Sequence, residues 1–226
     1  LLRESIEHID IKSFDATAII ESMKKMSFSS RDTANAADIL LKMVRDKDCT
    51  NILTLAGSTS AGGCMQVYVD MVKNNMIDVI VATGASIIDM DFFEAIGFKH
   101  YVGRTDVPDK KLREYYIDRI YDTFIDEDDL QVCDGTIKTI ADTLERRPYS
   151  SREFIRELGK YLVSNSLKKD SLVQACYENN VPIFCPAFSD SSAGFGLVKH
   201  QWENPDKHVT IDSVRDFREI TMIKMQ

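Results

Sequence analysis

Two short runs with almost no polar residue narrow the possible folds more than any other feature of this chain. They are Asn51-Ile52-Leu53-Thr54-Leu55-Ala56 and Asp78-Val79-Ile80-Val81-Ala82-Thr83. Neither alternates polar with apolar, so both faces of each strand need cover, the pattern of a parallel sheet. Each run stops at a turn of small residues: Gly57-Ser58-Thr59-Ser60-Ala61-Gly62-Gly63 after the first, Gly84-Ala85-Ser86 after the second. Between them Cys64 to Asn75 reads as a helix, and Asp89 to Ile96 as the start of the next. Strand, loop, helix, strand, loop and helix make a βαβα unit with a right-handed crossover. A third buried strand is expected at Val181-Pro182-Ile183-Phe184-Cys185-Pro186-Ala187, ending in Ser189-Asp190-Ser191-Ser192-Ala193-Gly194. His208 to Ile211 offers a fourth. The predicted class is α/β.

Before the first strand, the opening through Phe14 reads as an irregular arm. Asp15 to Met26 and Ser30 to Arg45 read as two helices, with Ala36, Ile39, Leu40 and Met43 at the spacing of a buried face. This divides the chain into an arm with helices over residues 1–50 and an α/β domain over residues 51–226. Lys110 to Asn165 reads as mainly helical. Within it, Ser150 and Glu153 have capping-box spacing and start a helix whose inner face is Ile155, Leu158 and Leu162. The acidic run Asp126-Glu127-Asp128-Asp129 is a solvated helix start or, alternatively, a metal site.

A chain of 226 residues, 44% hydrophobic and 28% charged, can bury one sizeable core. No apolar run approaches the ~18 residues that span a bilayer, so no membrane association is expected. The first residues lack the basic start and apolar stretch of a secretory signal. They also lack an initiating Met, so the chain need not begin where its gene does. A net charge of −8 disfavours nucleic acid as a partner. It suits polyamines and basic partners, or it serves solubility alone. Five widely spaced cysteines with no Cys-x-x-Cys argue against a disulfide framework or a zinc site, and for a reducing, cytoplasmic setting. Cys185 reads as a small buried residue rather than a reactive thiol.

In a parallel sheet the three small-residue loops share the carboxyl edge, where open α/β sheets bind ligands. Such loops let backbone N–H groups approach a pyrophosphate, and a following helix N-terminus contributes roughly 0.3–1 kcal/mol. On spacing alone two readings stand, a nucleotide or dinucleotide site, or tight strand-to-helix turns without a ligand. The first loop is neither G-x-G-x-x-G nor followed by Gly-Lys-Ser/Thr, which excludes a P-loop. Asp89 and Asp190 follow strand ends, where carboxylates accept hydrogen bonds from ribose hydroxyls or ligand ammonium groups. The alternatives are an acid near a helix start for Asp89 and an Asx-turn for Asp190. His100, His200 and His208 have no metal-ligand spacing and read as surface or locally hydrogen-bonded residues.

Taken in order, several segments resemble deoxyhypusine synthase: Leu55 to Gly63, Asn74-Asn75-Met76-Ile77-Asp78-Val79, and Ala82-Thr83-Gly84-Ala85-Ser86. So do Leu112-Arg113-Glu114, Asp118-Arg119-Ile120 and Val181 to Asp190, with Gly194, Asn204-Pro205, Asp212, Asp216 and Arg218 behind them. The likeness runs through essentially the whole chain and is nearer the bacterial deoxyhypusine synthase-like branch than the eukaryotic enzymes. It implies a Rossmann-like fold, a parallel sheet with helices on both faces and an N-terminal helical arm, assembled as a homotetramer. It also implies NAD as cofactor and spermidine as substrate. The aminobutyl group then passes through an enzyme lysine to a lysine of the hypusine-bearing translation initiation factor.

Carried over by position, Ser58, Gly62, Thr83, Gly84, Asp89 and Asp190 would bind NAD, with Asp89 near a ribose. Two departures from the family pattern bear on function. Where the family often has an acidic residue that helps hold spermidine, directly after Gly194, this chain has Phe195. The family's catalytic lysine is expected beyond Gln226. Lys199-His200 superficially resembles the lysine–histidine pair of that motif but aligns with an earlier segment. These departures keep two alternatives open: homospermidine-type transfer to putrescine, and a non-catalytic NAD-binding regulatory subunit.

Overall fold

A computed structural model describes residues 1–168 and 170–223; the last three residues of the expected α/β domain, 224–226, lie outside the described residues. An arm with one 3-10 turn at Ile11–Ser13 leads into helices α1 (Thr17–Met23) and α2 (Ser29–Arg45). Strand β1 (Ile52–Leu55) passes through a π-helical segment, Ser60–Cys64, into α3 (Met65–Lys73). Strand β2 (Val79–Ala82) passes through a second, Ala85–Phe92, into the single turn α4 (Phe93–Ala95). Then come β3 (Tyr101–Val102), α5 (Asp109–Glu114), β4 (Ile117–Ile120), β5 (Thr123–Asp126) and α6 (Glu127–Thr143). The chain continues through β6 (Pro148–Tyr149), α7 (Ser151–Asn165), α8 (Leu172–Glu178) and β7 (Ile183–Phe184). The last described elements are α9 (Ser192–Glu203), β8 (Thr210–Ile211) and α10 (Ser213–Ile223).

The three apolar runs pair as expected. β1, β2 and β7 form one parallel sheet in the order β1-β2-β7, with Leu55 opposite Ala82 and Ile80 opposite Ile183. Covering helices bury Ile80 on β2 and Ile183 on β7. Helix α7 begins with the anticipated capping box: the Glu153 N–H donates to Ser150 Oγ at 3.2 Å and the Ser150 N–H to Glu153 Oε2 at 3.0 Å. Its Ile155, Leu158 and Leu162 are buried in the main core, where the Phe154 and Phe188 rings meet edge-on at 5.4 Å.

The stretch from Lys110 to Asn165 is mainly helical as expected, through α5, α6 and α7, although β4 and β5 between the first two form a hairpin that pairs with β3 in a separate antiparallel sheet. Three expectations are corrected. The strand at the end of His208–Ile211 is β8, which pairs in parallel with β6 and not with the main sheet. β1 is an edge strand with Ile52 and Thr54 exposed, so only β2 and β7 have the full cover inferred for every strand. The α2 stripe is helical as its periodicity requires, yet Ile39 is 57% exposed and only Ala34 on that helix is buried. The periodicity was a sound guide to helix, but α2 packs on α1 and not on the sheet.

The acidic run is a helix start: Asp126 caps α6, accepting hydrogen bonds from the N–H groups of Asp128 at 2.9 Å and Asp129 at 3.4 Å. Among the described residues no group of three or more His, Cys, Asp or Glu could hold a metal ion. Nor is any helix long and apolar enough to cross a membrane. On β4, a hydrogen bond with Glu127, burial and the Glu127 charge push the Asp118 pKa up to about 6. A carboxyl whose pKa is raised on folding holds its proton more tightly in the folded state. Its contribution to stability is therefore lost as pH rises from about 4 through about 6. Asp118→Asn should raise the melting temperature by about 1–2 °C above pH 7. Below pH ~4 the gain should vanish, since both states are then protonated. A gain of equal size at both pH values in thermal melts would refute this account.

The N-terminal arm is held at several points. Ile6 N–H donates to His100 O at 2.8 Å, Val102 N–H to Glu4 O at 2.7 Å, and Ile9 N–H to Gly63 O at 2.9 Å. His8 Nε2 lies 2.7 Å from Glu94 Oε2, and His8 Nδ1 accepts from the Met65 N–H at 3.3 Å. Burial pushes Glu94 up, but hydrogen bonds from His100 and His8 and the charge of Lys168 outweigh it, so the carboxyl sits well below its ordinary range.

Candidate functional site

The carboxyl edge of the β1-β2-β7 sheet gathers the three small-residue loops. After β1 the chain turns through Gly57 at φ +67° and Gly63 at φ +91°, with the Gly62 N–H donating to Ser58 O at 2.9 Å. A side chain at Gly63 would be strained, and its Cβ would stand 2.9 Å from Glu7 O of the arm. After β2, the Thr83 N–H donates to Leu55 O at 3.1 Å, holding the second loop against the end of β1. Ser86 Oγ, 3.3 Å from Thr83 Oγ1, donates to Gly57 O at 3.0 Å, which ties the first two loops together.

The third loop closes on the second at Gly84. A Cβ there would meet Ser191 Cβ at 2.5 Å, Ser191 Oγ at 2.7 Å and Asp190 O at 3.3 Å. Only a residue without a side chain permits that approach. Asp89 bridges the same two segments, its Oδ1 accepting from the Ser192 N–H at 2.8 Å. Burial pushes the Asp89 pKa up, while hydrogen bonds from Ser192 oppose the rise. All six residues singled out for the cofactor therefore converge: Ser58 and Gly62 on the first loop, Thr83, Gly84 and Asp89 on the second loop and its helical continuation, and Asp190 on the third. Gly84 is buried, Ser58 and Asp89 are half-buried, and Gly62, Thr83 and Asp190 are exposed. Asp89 is not near a helix start as expected, since the helical segment already begins at Ala85 and Asp89 lies in its middle.

The first of these loops is open on its outer side. A Cβ built at Gly57 or Gly62 meets nothing within 4 Å, so the loop backbone there borders open space. A cavity of about 730 Å³ lies elsewhere, bordered by β7, α7, α8 and α10, including Val173, Tyr177 and Phe184. It does not include the loops. Cys185 is fully buried and its thiol is pushed up to about 12, first by burial and then by the Asp216 and Asp89 charges, as fits an inert packing residue. The side chain of His100 is buried against Glu94, and that of His200 against Asp142 at 2.6 Å. Lys199 is half-buried on α9, one residue before His200.

One residue of this region escaped the sequence reading. Asp134 lies on the buried face of α6 among Cys133, Ile137, Ile140 and Ala141. Burial first, and the charges of Asp89 and Glu127, push its pKa up to about 6 against the pull of Lys199 and Ser192. The signal was there to find: Asp134 occupies an apolar stripe at helical spacing, a place where an ionisable side chain needs a reason.

Comparison with known proteins matches this architecture. A family model described as "DS: Deoxyhypusine synthase" matches residues 18–226. A "Deoxyhypusine synthase-like protein" of Coxiella burnetii is 65% identical over 227 residues, covering all of this chain and 64% of that protein. One of the same description from Caulobacter vibrioides is 63% identical, again over all of this chain and 62% of its own length. A Methanosarcina mazei protein described as "Probable deoxyhypusine synthase 2" is 37% identical over 95% of this chain and 61% of its own. The chain thus spans less than two thirds of the length of these relatives. The fold is similar to that in "Crystal Structure of a putative deoxyhypusine synthase from Entamoeba histolytica", with a TM-score of 0.67 at 18% identity over 95% of this chain and 73% of that one. Three parallel strands whose loops meet at one edge, in a sequence this close to those relatives, lead to a single assignment: the chain belongs to the deoxyhypusine synthase family.

Proposed function

We propose that this chain is the NAD-binding part of an aminobutyltransferase. It takes the aminobutyl group of spermidine and delivers it to a lysine of the hypusine-bearing translation initiation factor. The observation that carries the reading is the meeting of three small-residue loops around Asp89 in a chain of this family.

When bound, NAD supplies a hydride acceptor, which leaves a carbon of spermidine electrophilic beside its nitrogen. The residues here position the partners. The open backbone at Gly57 and Gly62 is suited to hold the pyrophosphate, with Ser58 and Thr83 offering hydroxyls beside it. Asp89 and Asp190 are suited to accept hydrogen bonds from ribose hydroxyls. Asp89 is itself fixed by the Ser192 N–H at 2.8 Å, so its carboxylate is oriented before any ligand arrives. The lysine that carries the aminobutyl group in transit is expected beyond Gln226.

Phe195 supports a second reading. It is 67% exposed, and it stands where the family often places a carboxylate. A changed polyamine contact there suits putrescine as acceptor, giving homospermidine. The deciding experiment supplies full-length protein with NAD, spermidine labelled in its aminobutyl group, and either acceptor. Label on the factor lysine is the expected outcome. Label on putrescine and never on the factor selects the second reading, and label on neither rejects the aminobutyltransferase.

A further inference from the structure

The family model matches residues 18–226, so the N-terminal arm lies outside the part of the chain that it describes. One arm residue nevertheless touches the continuation of both the first and the second loop. His8 Nδ1 lies 3.3 Å from the N–H of Met65, the first residue of α3, and His8 Nε2 lies 2.7 Å from Glu94 Oε2 on α4. Helix α3 carries the first loop onward and α4 the second, each through its π-helical segment.

These two contacts fix where the ring proton sits. A backbone N–H can only donate, so Nδ1 is the bare nitrogen that accepts from Met65, and Nε2 carries the proton that Glu94 accepts. The Met65 N–H needs that acceptor. Gly63, at φ +91°, interrupts the helical backbone just before α3, and the N-cap residue Cys64 offers no side-chain bond to the helix start. Glu94 is a firm anchor for the other side of the ring: it is buried, its Oε1 lies 2.8 Å from His100 Nδ1, and Lys168 pairs with its Oε2. The neighbours of His8 grip the same turn. Ile9 N–H donates to Gly63 O at 2.9 Å, and Glu7 O fills the place of a Gly63 side chain.

We propose that His8 is a positioning residue for the dinucleotide. By accepting from Met65 and donating to Glu94 it sets the spacing between the first two loops, which together carry Ser58, Gly62, Thr83, Gly84 and Asp89. It acts through the loop backbone and not on the ligand. The role rests on the NAD reading above and extends the site to a segment that the family model does not include.

The test uses the full-length protein and two readouts: NAD affinity by calorimetry, and hydrogen exchange of the Met65 amide without NAD. Asn places its carbonyl oxygen where Nδ1 stands, whereas Gln places its amide nitrogen where Nε2 stands. His8→Ala should weaken NAD about tenfold and speed exchange at Met65 by a similar factor. His8→Asn, which keeps the acceptor, should hold NAD affinity within about threefold of the unaltered protein, and His8→Gln, which keeps only the donor, should behave like alanine. Unchanged NAD affinity in His8→Ala overturns the proposal, even if Met65 exchanges faster. So does a His8→Asn protein that binds no better than His8→Gln, or affinities that merely follow the melting temperatures of the three variants, which marks a purely structural role. If the unaltered protein binds no NAD, the proposed function itself falls and the positioning role with it.

Discussion

Asp91→Ala is expected to destabilise the protein by about 3–5 kcal/mol, enough to leave many such domains largely unfolded. Asp91 is fully buried at the end of the second π-helical segment. Its Oδ1 accepts from the Leu172 N–H at 2.9 Å, and its Oδ2 from the Val173 N–H and Ser171 Oγ, both at 2.8 Å. One side chain thus caps α8 and clamps it to the segment that carries Asp89. Alanine would strand three buried donors and leave a hole, and each stranded donor costs about 1–3 kcal/mol. Burial already pushes the Asp91 pKa up in spite of those donors and the Lys168 charge, so the clamp works against desolvation. Asp91→Asn keeps one acceptor but turns its NH₂ toward a donor, and should cost about 1–3 kcal/mol. Denaturant unfolding decides the matter: a loss below about 1 kcal/mol for the alanine variant would mean that α8 does not depend on this carboxylate.

Gly84→Val is expected to abolish useful NAD binding, lowering affinity about a hundredfold, while the fold survives. The backbone at Gly84 has φ −58° and ψ −37°, which any residue can adopt, so the penalty is one of space. Its Cβ would stand 2.5 Å from Ser191 Cβ, and the two loops must separate by about 1 Å to admit it. Overpacking of that kind costs about 1–3 kcal/mol of stability. The larger effect is on geometry, since a shift of about 1 Å in a positioning loop can cost two orders of magnitude in function. Calorimetry with NAD and a thermal melt of the same sample separate the two effects. Wild-type affinity in a protein with a lowered melting point would show that the third loop has no part in the site.

How much of this was legible before the fold was known follows from the range of each interaction. The parallel strands announced themselves because Val79 to Ala82 contains no polar residue, and burial of both faces is a local demand on the sequence. The capping box at Ser150 and Glu153 spans one helical turn and needs no tertiary context. The β4–β5 hairpin was hidden because its two-residue turn, Tyr121-Asp122, uses a tyrosine at φ +57° where Asn-Gly or Asp-Gly would have signalled it. Tyr116 at φ +54°, just before β4, hides the helix-to-strand junction in the same way. At the site, glycine and serine content marked each loop singly. That Ser86 reaches Gly57, and Ser192 reaches Asp89 across 103 residues of sequence, depends on sheet order and could not be read from spacing.

The arm that precedes the first strand carries a practical consequence for anyone dividing this protein. Residues 4–12 are stitched to it by Glu4, Ile6, His8, Ile9 and Lys12, and one stitch lands on Gly63 itself. A fragment starting at residue 51 would retain the strands yet shed the brace that sets the curvature of the first loop. The arm and that loop are best regarded as one cooperative part, to be transplanted or truncated together.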